Sequence, residues 1–450
     1  MAARTIEGMT QVAGPVSTRI VSPARGLRGS IVAPGDKSIS HRYAMLAGFA
    51  AGESTLRNFS TGADPHSSLG CMAAMGAQVS SDGSTIPGAG NTIRVMGTAG
   101  ALRAPAGDLD CGNSGSTMRM LAGLVAPQQG AFRFIGDESL TVRPMERIRK
   151  PLESMGARIG LTEGHAPMTV HGSPLQAIDF DAPIASAQVK TAVLLAGLQA
   201  AGTTSFAESV RTRDHTEHAL RAFGATLHRS DGRLHIEGGQ KLHGIDATVP
   251  GDMSSAAFFL CAALLFEDSN LVIDALGMNP TRSAMLDVIA ALGGTVKVLD
   301  VQEQHGETVG SIQVNRSRGG LRGLDIGGSL AAQLIDEIPV IAAIAPYTRD
   351  GIRIRDAQEL RVKESDRIAL VVKNLRAMGV DVTEHPDGMD IPGGQQPHGG
   401  IIDSALDHRI TMAFAVAALG ATGETEIHGA EAAAVSFPEF FDYLDRLAER

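Results

Sequence analysis

The residues best placed to do chemistry are carboxylates set among cations in the second half of the chain. The stretch "LIDEIPVIAAIA" puts Asp336 and Glu337 directly before a nearly uncharged helical run. The stretch "ELRVKESDRIAL" gathers Glu359, Arg361, Lys363, Glu364, Asp366 and Arg367. On a helix Lys363 and Arg367 would share a face, with Glu364 beside them. A third stretch, "ALDHRITMAFAVAALG", sets Asp407, His408 and Arg409 at another helix start. The first two have plainer readings: Asp336 as a helix cap, the charged cluster as a salt-bridged surface helix.

The first half repeats the theme with cations at helix starts. "PGDKSISHR" carries Lys37, Ser38, His41 and Arg42, whereas a second copy of the same turn, "PGDMSSAAF", has Met253, Ala257 and Phe258 at the charged positions. The turn is therefore architecture: Pro fixes φ, Gly permits unusual dihedrals, and Asp or Ser caps the helix that follows. Its charges are additions in the first copy alone. A helix N-terminus attracts anions through free N–H groups. A cation placed there opposes the helix dipole unless an anion joins it. "DCGNSGSTMRML" offers the amides around Asn113, Ser114, Gly115 and Ser116 as an anion cradle, although a capped helix start would look the same. "GDESLTVRPM" holds Arg143 in a non-helical setting before Pro144. "APIASAQVKTAVLLAG" places Ser186, Ala187, Gln188 and Lys190 at the head of a very apolar helix, where Lys190 is either partnered or solvated. "VRTRDHTEHAL" adds Arg211, Arg213, Asp214 and His215. Together these describe a cleft for a highly anionic substrate or pair of substrates.

Elements that could position such groups recur along the chain. A helix end followed by Gly and a strand appears as "MGAQV", "MGARI", "FGATL", "LGGTV" and "MGVDV"; Gly suits the left-handed position that ends a helix. Each leads into two strand-like runs around a polar turn. Between these copies lies a turn and a strand, as in "AAGESTLRNF", "APQQGAFRFIG" and "LGATGETEIHGA", recurring roughly every 70–85 residues. The unit reads as strand, helix, strand, helix, then two strands. Six such units are predicted, the last truncated. The duplicated turns divide them into an inserted domain, 35–250, and a discontinuous one, 1–34 with 251–450. Residues at both crossings would face an interdomain cleft, a favoured place for small-molecule sites.

Bulk composition agrees. A chain of 450 residues, 43% hydrophobic and 20% charged, suits a soluble two-domain protein. Its net charge of −10 argues against nucleic-acid binding. No apolar run reaches membrane-spanning length, and the first 20 or so residues lack a signal-peptide core. The three cysteines, Cys71, Cys111 and Cys261, form neither a disulfide framework nor a metal motif. A cytoplasmic location is expected.

The motifs "PGDKSISHR", "GNSGSTMR", "ASAQVKTAVLLAG", "RDHTE", "IDEIP", "ELRVKESDR", "LDHR" and "SFPEF", in this order from about Leu27 onward, resemble the 5-enolpyruvylshikimate-3-phosphate synthase family. The resemblance implies an α/β fold of two domains, each of three βαβαββ units, arranged as an inverse α/β barrel with the active site in the interdomain cleft. It also implies transfer of the enolpyruvyl group of phosphoenolpyruvate to the 5-hydroxyl of shikimate 3-phosphate, with release of phosphate, in chorismate and aromatic amino-acid biosynthesis. By similarity, Lys37, Ser38, Arg42, Ser186, Ala187, Gln188, Arg213, Asp336 and Lys363 bind shikimate 3-phosphate. Lys37, Gly115, Arg143, Gln188, Arg367 and Arg409 hold phosphoenolpyruvate. Asp336 is the general base, Glu364 the proton-transfer carboxylate, and Lys37 the third catalytic group. No cofactor or metal is implied, and no partner beyond the two small-molecule substrates. A monomer is expected, without nucleic acid or membrane.

The chain departs from the family pattern at "AVSFPEF": many members carry Lys just before "FP" as a phosphoenolpyruvate ligand, where this chain has Val435 and Ser436. One class, which includes glyphosate-tolerant members, also lacks that Lys, reads "LDHR", and can carry Ala where this chain has Gly115. Two other readings stay open. The related UDP-N-acetylglucosamine enolpyruvyl transferases rely on a reactive Cys and lack the "DKSISHR" run; Cys111 reads as structural. A non-catalytic phosphate-binding module would not need Asp336 and Glu364.

Overall fold

The computed structural model describes residues 17–82 and 91–450. The expectations for residues 1–16 lie outside that range. Among the described residues there are six sheets, and the recurring turn-and-strand motif supplies one strand to each. The pattern is plainest in the sheet that starts at Leu109–Asp110. That strand runs parallel to Ala131–Ile135, which pairs antiparallel with His165–His171, which pairs antiparallel with Arg158–Thr162. The helices Gly115–Val125 and Glu146–Ser154 fill the two crossovers. The same order holds for the sheet built on Thr203–Glu208 and the one built on Ile352–Ile354. This is the βαβαββ unit that the sequence predicts.

The motif glycines behave as expected of helix terminators. Gly76, Gly156, Gly224, Gly293 and Gly379 all have φ between 77° and 113°, where a side chain is strained.

The duplicated turns are where strands change allegiance. The strand Gly26–Val32, just before the first turn, runs parallel to Asn270–Gly277, which follows the second. The strand Asp246–Thr248, just before the second turn, runs parallel to Glu53–Phe59, which follows the first. Each turn thus hands the chain from one sheet to another. The first turn needs its glycine for space, because a Cβ at Gly35 would fall 1.8 Å from the Asn58 carbonyl oxygen. The truncated last unit is completed from the other end of the chain: Thr18–Val21 pairs antiparallel with Thr425–His428, which runs parallel to Ile401–Asp403.

Among the described residues, one compact unit comprises Gly35–Val249 together with the short segment Gln304–Glu307. The other comprises the residues up to Pro34, Pro250–Glu303 and Thr308–Arg450. Sequence order alone would have left the hairpin tip Gln304–Glu307 with the second. Each unit has its own hydrophobic core, with helices that are buried on nearly every face. In the first, Gly115–Val125 and Ala187–Gly197 pack so closely that a Cβ at Gly123 would lie 2.0 Å from the Ala192 carbonyl oxygen. In the second, Met253–Leu264, Ile338–Ile344 and His408–Leu419 are buried throughout. Fully buried helices place their N-termini, and the polar residues there, where every polar atom needs a partner.

Candidate active site

In the first unit the cations converge on helix starts. Lys37 is the first residue of the helix Lys37–Phe49, capped by Asp36, whose carboxylate accepts from the Ile39 N–H at 2.9 Å. The Lys37 ammonium pairs with Asp64. One turn on, Arg42 is 5% exposed and its guanidinium is spread over three acceptors. It donates to Thr216 Oγ1 at 2.7 Å, to Thr191 Oγ1 at 2.9 Å and to the Ser38 carbonyl at 2.8 Å. Burial lowers its pKa to about 10; Glu217 resists this and the nearby charge of Arg213 adds to it. Arg42 remains a cation at neutral pH, held in place by its three acceptors.

Those acceptors tie three helices together. Thr191 lies on Ala187–Gly197, whose N-cap Ser186 accepts from the Val189 N–H. Thr216 lies on His215–Ala222, directly after Arg213 and Asp214. Thus Lys37, Ser38, Arg42, Ser186, Ala187 and Arg213 share one neighbourhood.

A second group gathers around Gly115, the first residue of Gly115–Val125 after the cap Ser114. Gln188 accepts from Arg119 Nη1 at 2.9 Å and donates to Ser116 Oγ at 2.9 Å. Arg143, 7% exposed, donates to the Asn113 side chain at 2.7 Å, the Asn113 carbonyl at 3.2 Å and Ser139 Oγ at 2.9 Å. So Gly115, Arg143 and Gln188 also come together. Sequence reasoning gave no role to Asp64 or Arg119, which hold Lys37 and Gln188. For Arg119 the signal was available, one turn after Gly115 inside a quoted motif.

In the second unit one guanidinium organises the site. Arg367 is 1% exposed and starts the helix Arg367–Ala377. It pairs with Asp407 at 2.9 Å, Glu364 at 2.6 Å and Asp336 at 3.8 Å. Burial works to lower its pKa, but Asp407, Glu364 and Asp336 overcome this and raise it. Lys363 reaches the same Asp336 oxygen at 3.6 Å, and Arg409 donates to the Asp336 carbonyl at 2.8 Å. All five expected residues, Asp336, Lys363, Glu364, Arg367 and Arg409, therefore meet.

Two expectations are corrected by the structure, and the open alternative at Lys190 is decided. Lys363 and Arg367 do not share a helix face: Gln358–Val362 is a 3-10 turn, Lys363 ends it, and the helix begins at Arg367 behind its cap Asp366. They converge through the bend instead. Lys190 is not solvated; it is fully buried between Glu208 and Glu217. The second Pro-Gly-Asp turn is not free of charge either, since Arg282 supplies a cation to Glu337 at 3.2 Å and to Asp252 at 3.9 Å. Glu337 is thereby occupied, and Asp336 is the carboxylate that faces Lys363.

A match to the EPSP synthase (3-phosphoshikimate 1-carboxyvinyltransferase) family model spans residues 21–444. The chain belongs to the EPSP synthase family. It is 57% identical over 430 residues to a 3-phosphoshikimate 1-carboxyvinyltransferase of Koribacter versatilis, covering 96% of this chain and 99% of the relative. A Solibacter usitatus protein of the same name is 53% identical, covering 95% and 99%. The solved structure of EPSP synthase from Acinetobacter baumannii superposes with a TM-score of 0.83 at 38% identity, covering 96% of this chain and 98% of that one.

Against the EPSP synthase pattern, the region of the missing Lys is a short 3-10 turn, Ala430–Val435, with Ser436 buried after it. Cys111 is fully buried and burial pushes its thiol well above the ordinary range, which is the opposite of a reactive nucleophile. Among the described residues no group of side chains has the makings of a metal site, and no helix is long and apolar enough to cross a membrane.

Proposed function

We propose that the chain transfers the enolpyruvyl group of phosphoenolpyruvate to the 5-hydroxyl of shikimate 3-phosphate and releases phosphate, as a 3-phosphoshikimate 1-carboxyvinyltransferase of aromatic amino-acid biosynthesis. The observation that carries this reading is the pair of carboxylates, Asp336 and Glu364, on one buried guanidinium. A module that only bound phosphate would gain nothing from two carboxylates beside its cations.

In this account Asp336 takes the proton of the 5-hydroxyl as its oxygen attacks the central carbon of phosphoenolpyruvate. Glu364 delivers a proton to the methylene carbon, which becomes a methyl group. The tetrahedral intermediate then loses phosphate, and a methyl proton returns to the enzyme as the double bond re-forms. Lys37 meets the phosphate that leaves. Lys37, Ser38, Arg42, Ser186, Ala187, Gln188, Arg213, Asp336 and Lys363 hold shikimate 3-phosphate. Gly115, Arg143, Gln188, Arg367 and Arg409, with Lys37, hold phosphoenolpyruvate. Guanidinium forks suit the planar carboxylates and phosphates of these ligands. The protein acts in this account as a cytoplasmic monomer.

The test is Asp336→Asn. The amide still hydrogen-bonds the hydroxyl but cannot take its proton. Turnover should fall by about 10²–10⁴-fold while calorimetry still records shikimate 3-phosphate binding. Near-normal turnover would remove Asp336 from this role.

A further inference from the structure

The helix Ala187–Gly197 buries a lysine that the proposed reaction does not use. Lys190 is 0% exposed. Its ammonium lies 3.2 Å from Glu208 and 3.0 Å from Glu217, both nearly as buried. A buried cation between two carboxylates is costly to assemble and calls for further partners. Arg229 lies 3.9 Å from each carboxylate, and Thr212 hydrogen-bonds both to the cation and to Glu208. Lys190 donates to the Thr212 carbonyl at 3.4 Å, and the Thr212 hydroxyl donates to the other oxygen of Glu208 at 2.5 Å. Thr212 is the residue before Arg213.

The loop therefore has a reason to need an anchor. Arg213 is two residues before the helix His215–Ala222, whose Thr216 accepts from Arg42 at 2.7 Å. The charge of Arg213 is close enough to depress the pKa of Arg42, while Glu217 supports it. Like charges at that range repel, so the loop that carries Arg213 gains from firm anchoring on its other residues. Arg211 does point away, 65% exposed at its side chain and paired with Asp214. Lys190 and Glu208 hold Thr212, the residue between Arg211 and Arg213.

We propose that Lys190, Glu208 and Thr212 form a buried clamp that positions Arg213 beside Arg42 for the phosphate-bearing substrate. These are positioning residues: they act through Arg213. The inference rests on the functional reading above, which makes shikimate 3-phosphate the ligand of Arg42 and Arg213. The clamp fixes the loop before the substrate arrives, so ordering it is not charged against binding.

Thr212→Val removes the hydroxyl and keeps the shape and the carbonyl. Calorimetry with shikimate 3-phosphate should show affinity weakened by about three- to tenfold. The KM for shikimate 3-phosphate should rise in parallel, with kcat and the KM for phosphoenolpyruvate within about twofold of the parent. Backbone amides of 209–213 should exchange hydrogen faster, and the melting temperature should fall by a few degrees as Glu208 loses that donor. Thr212→Ser, which restores the hydroxyl, should return the affinity. Unchanged affinity in Thr212→Val would overturn the clamp while leaving the reaction intact. An equal loss for both substrates would overturn it too, since that marks general loosening. If the parent itself fails to bind shikimate 3-phosphate, the functional reading falls and the clamp with it.

Discussion

Arg367 and Asp407 form an ion pair sealed from solvent, 2.9 Å from Nε to Oδ2, with side-chain exposures of 1% and 0%. Asp407 also caps the helix His408–Leu419 and accepts from Ser365 Oγ at 2.7 Å. It thus sets the position of the guanidinium on which Asp336 and Glu364 converge. Asp407→Asn should destabilise the fold by about 3–5 kcal/mol, the usual cost of breaking a buried pair. Turnover should fall with it.

The pH dependence of that deficit has a definite sign. Burial works to raise the Asp407 pKa, but Arg367 and His408 prevail and hold it below the ordinary carboxylate value. A depressed folded-state pKa gives stability that is present above the unfolded value and lost as pH falls through the folded one. The stability gap between parent and Asp407→Asn should be constant from about pH 6 to 8 and narrow below about pH 4, near the ordinary Asp value. Denaturant titrations across that range measure it; a gap independent of pH would contradict the pairing.

Much of this was legible in the sequence. The six-unit repeat showed because each unit ends a helix with glycine and turns into a hairpin, local signals that tertiary packing did not override. Most of the charges that the structure gathers showed because they stand at the heads of apolar helices. What did not show depends on distant partners. Nothing near Lys190 in sequence foretells that Glu208 and Glu217 will enclose it, and nothing near Asp252 foretells Arg282. The "ELRVKESDR" stretch misled because charge spacing alone cannot tell a helix face from a bend before a capped helix. Asp366, which accepts from the Ala369 N–H at 3.0 Å, was the start signal.

Arg42→Lys tests the fork geometry in the first unit. Lysine keeps the charge but cannot reach Thr216, Thr191 and the Ser38 carbonyl at once. Losing one charge-assisted contact, about 1.5–3 kcal/mol, should weaken shikimate 3-phosphate by about ten- to a hundredfold. Calorimetry checks this; parent-like affinity would show that charge alone suffices.

Gly115→Ala tests the pocket wall. A methyl group there would lie 2.8 Å from Arg119 Nη1, the group that holds Gln188, and 3.5 Å from Leu140. Arg119 must then move, and Gln188 loses its support. Glyphosate should inhibit the parent in competition with phosphoenolpyruvate, modestly because no Lys stands at Val435 or Ser436. The variant should show a raised KM for phosphoenolpyruvate and a larger relative loss of glyphosate inhibition. Comparing the two cancels the missing cation. Equal inhibition relative to each protein's own phosphoenolpyruvate affinity would contradict the steric argument.

The most direct measurement of the central claim is phosphate release from shikimate 3-phosphate and phosphoenolpyruvate, with the organic product followed by NMR. Phosphate and enolpyruvyl ether should appear in equal amounts, with no release when either substrate is omitted. UDP-N-acetylglucosamine should accept no enolpyruvyl group. Binding of both substrates without phosphate release, or transfer to the nucleotide sugar instead, would contradict it.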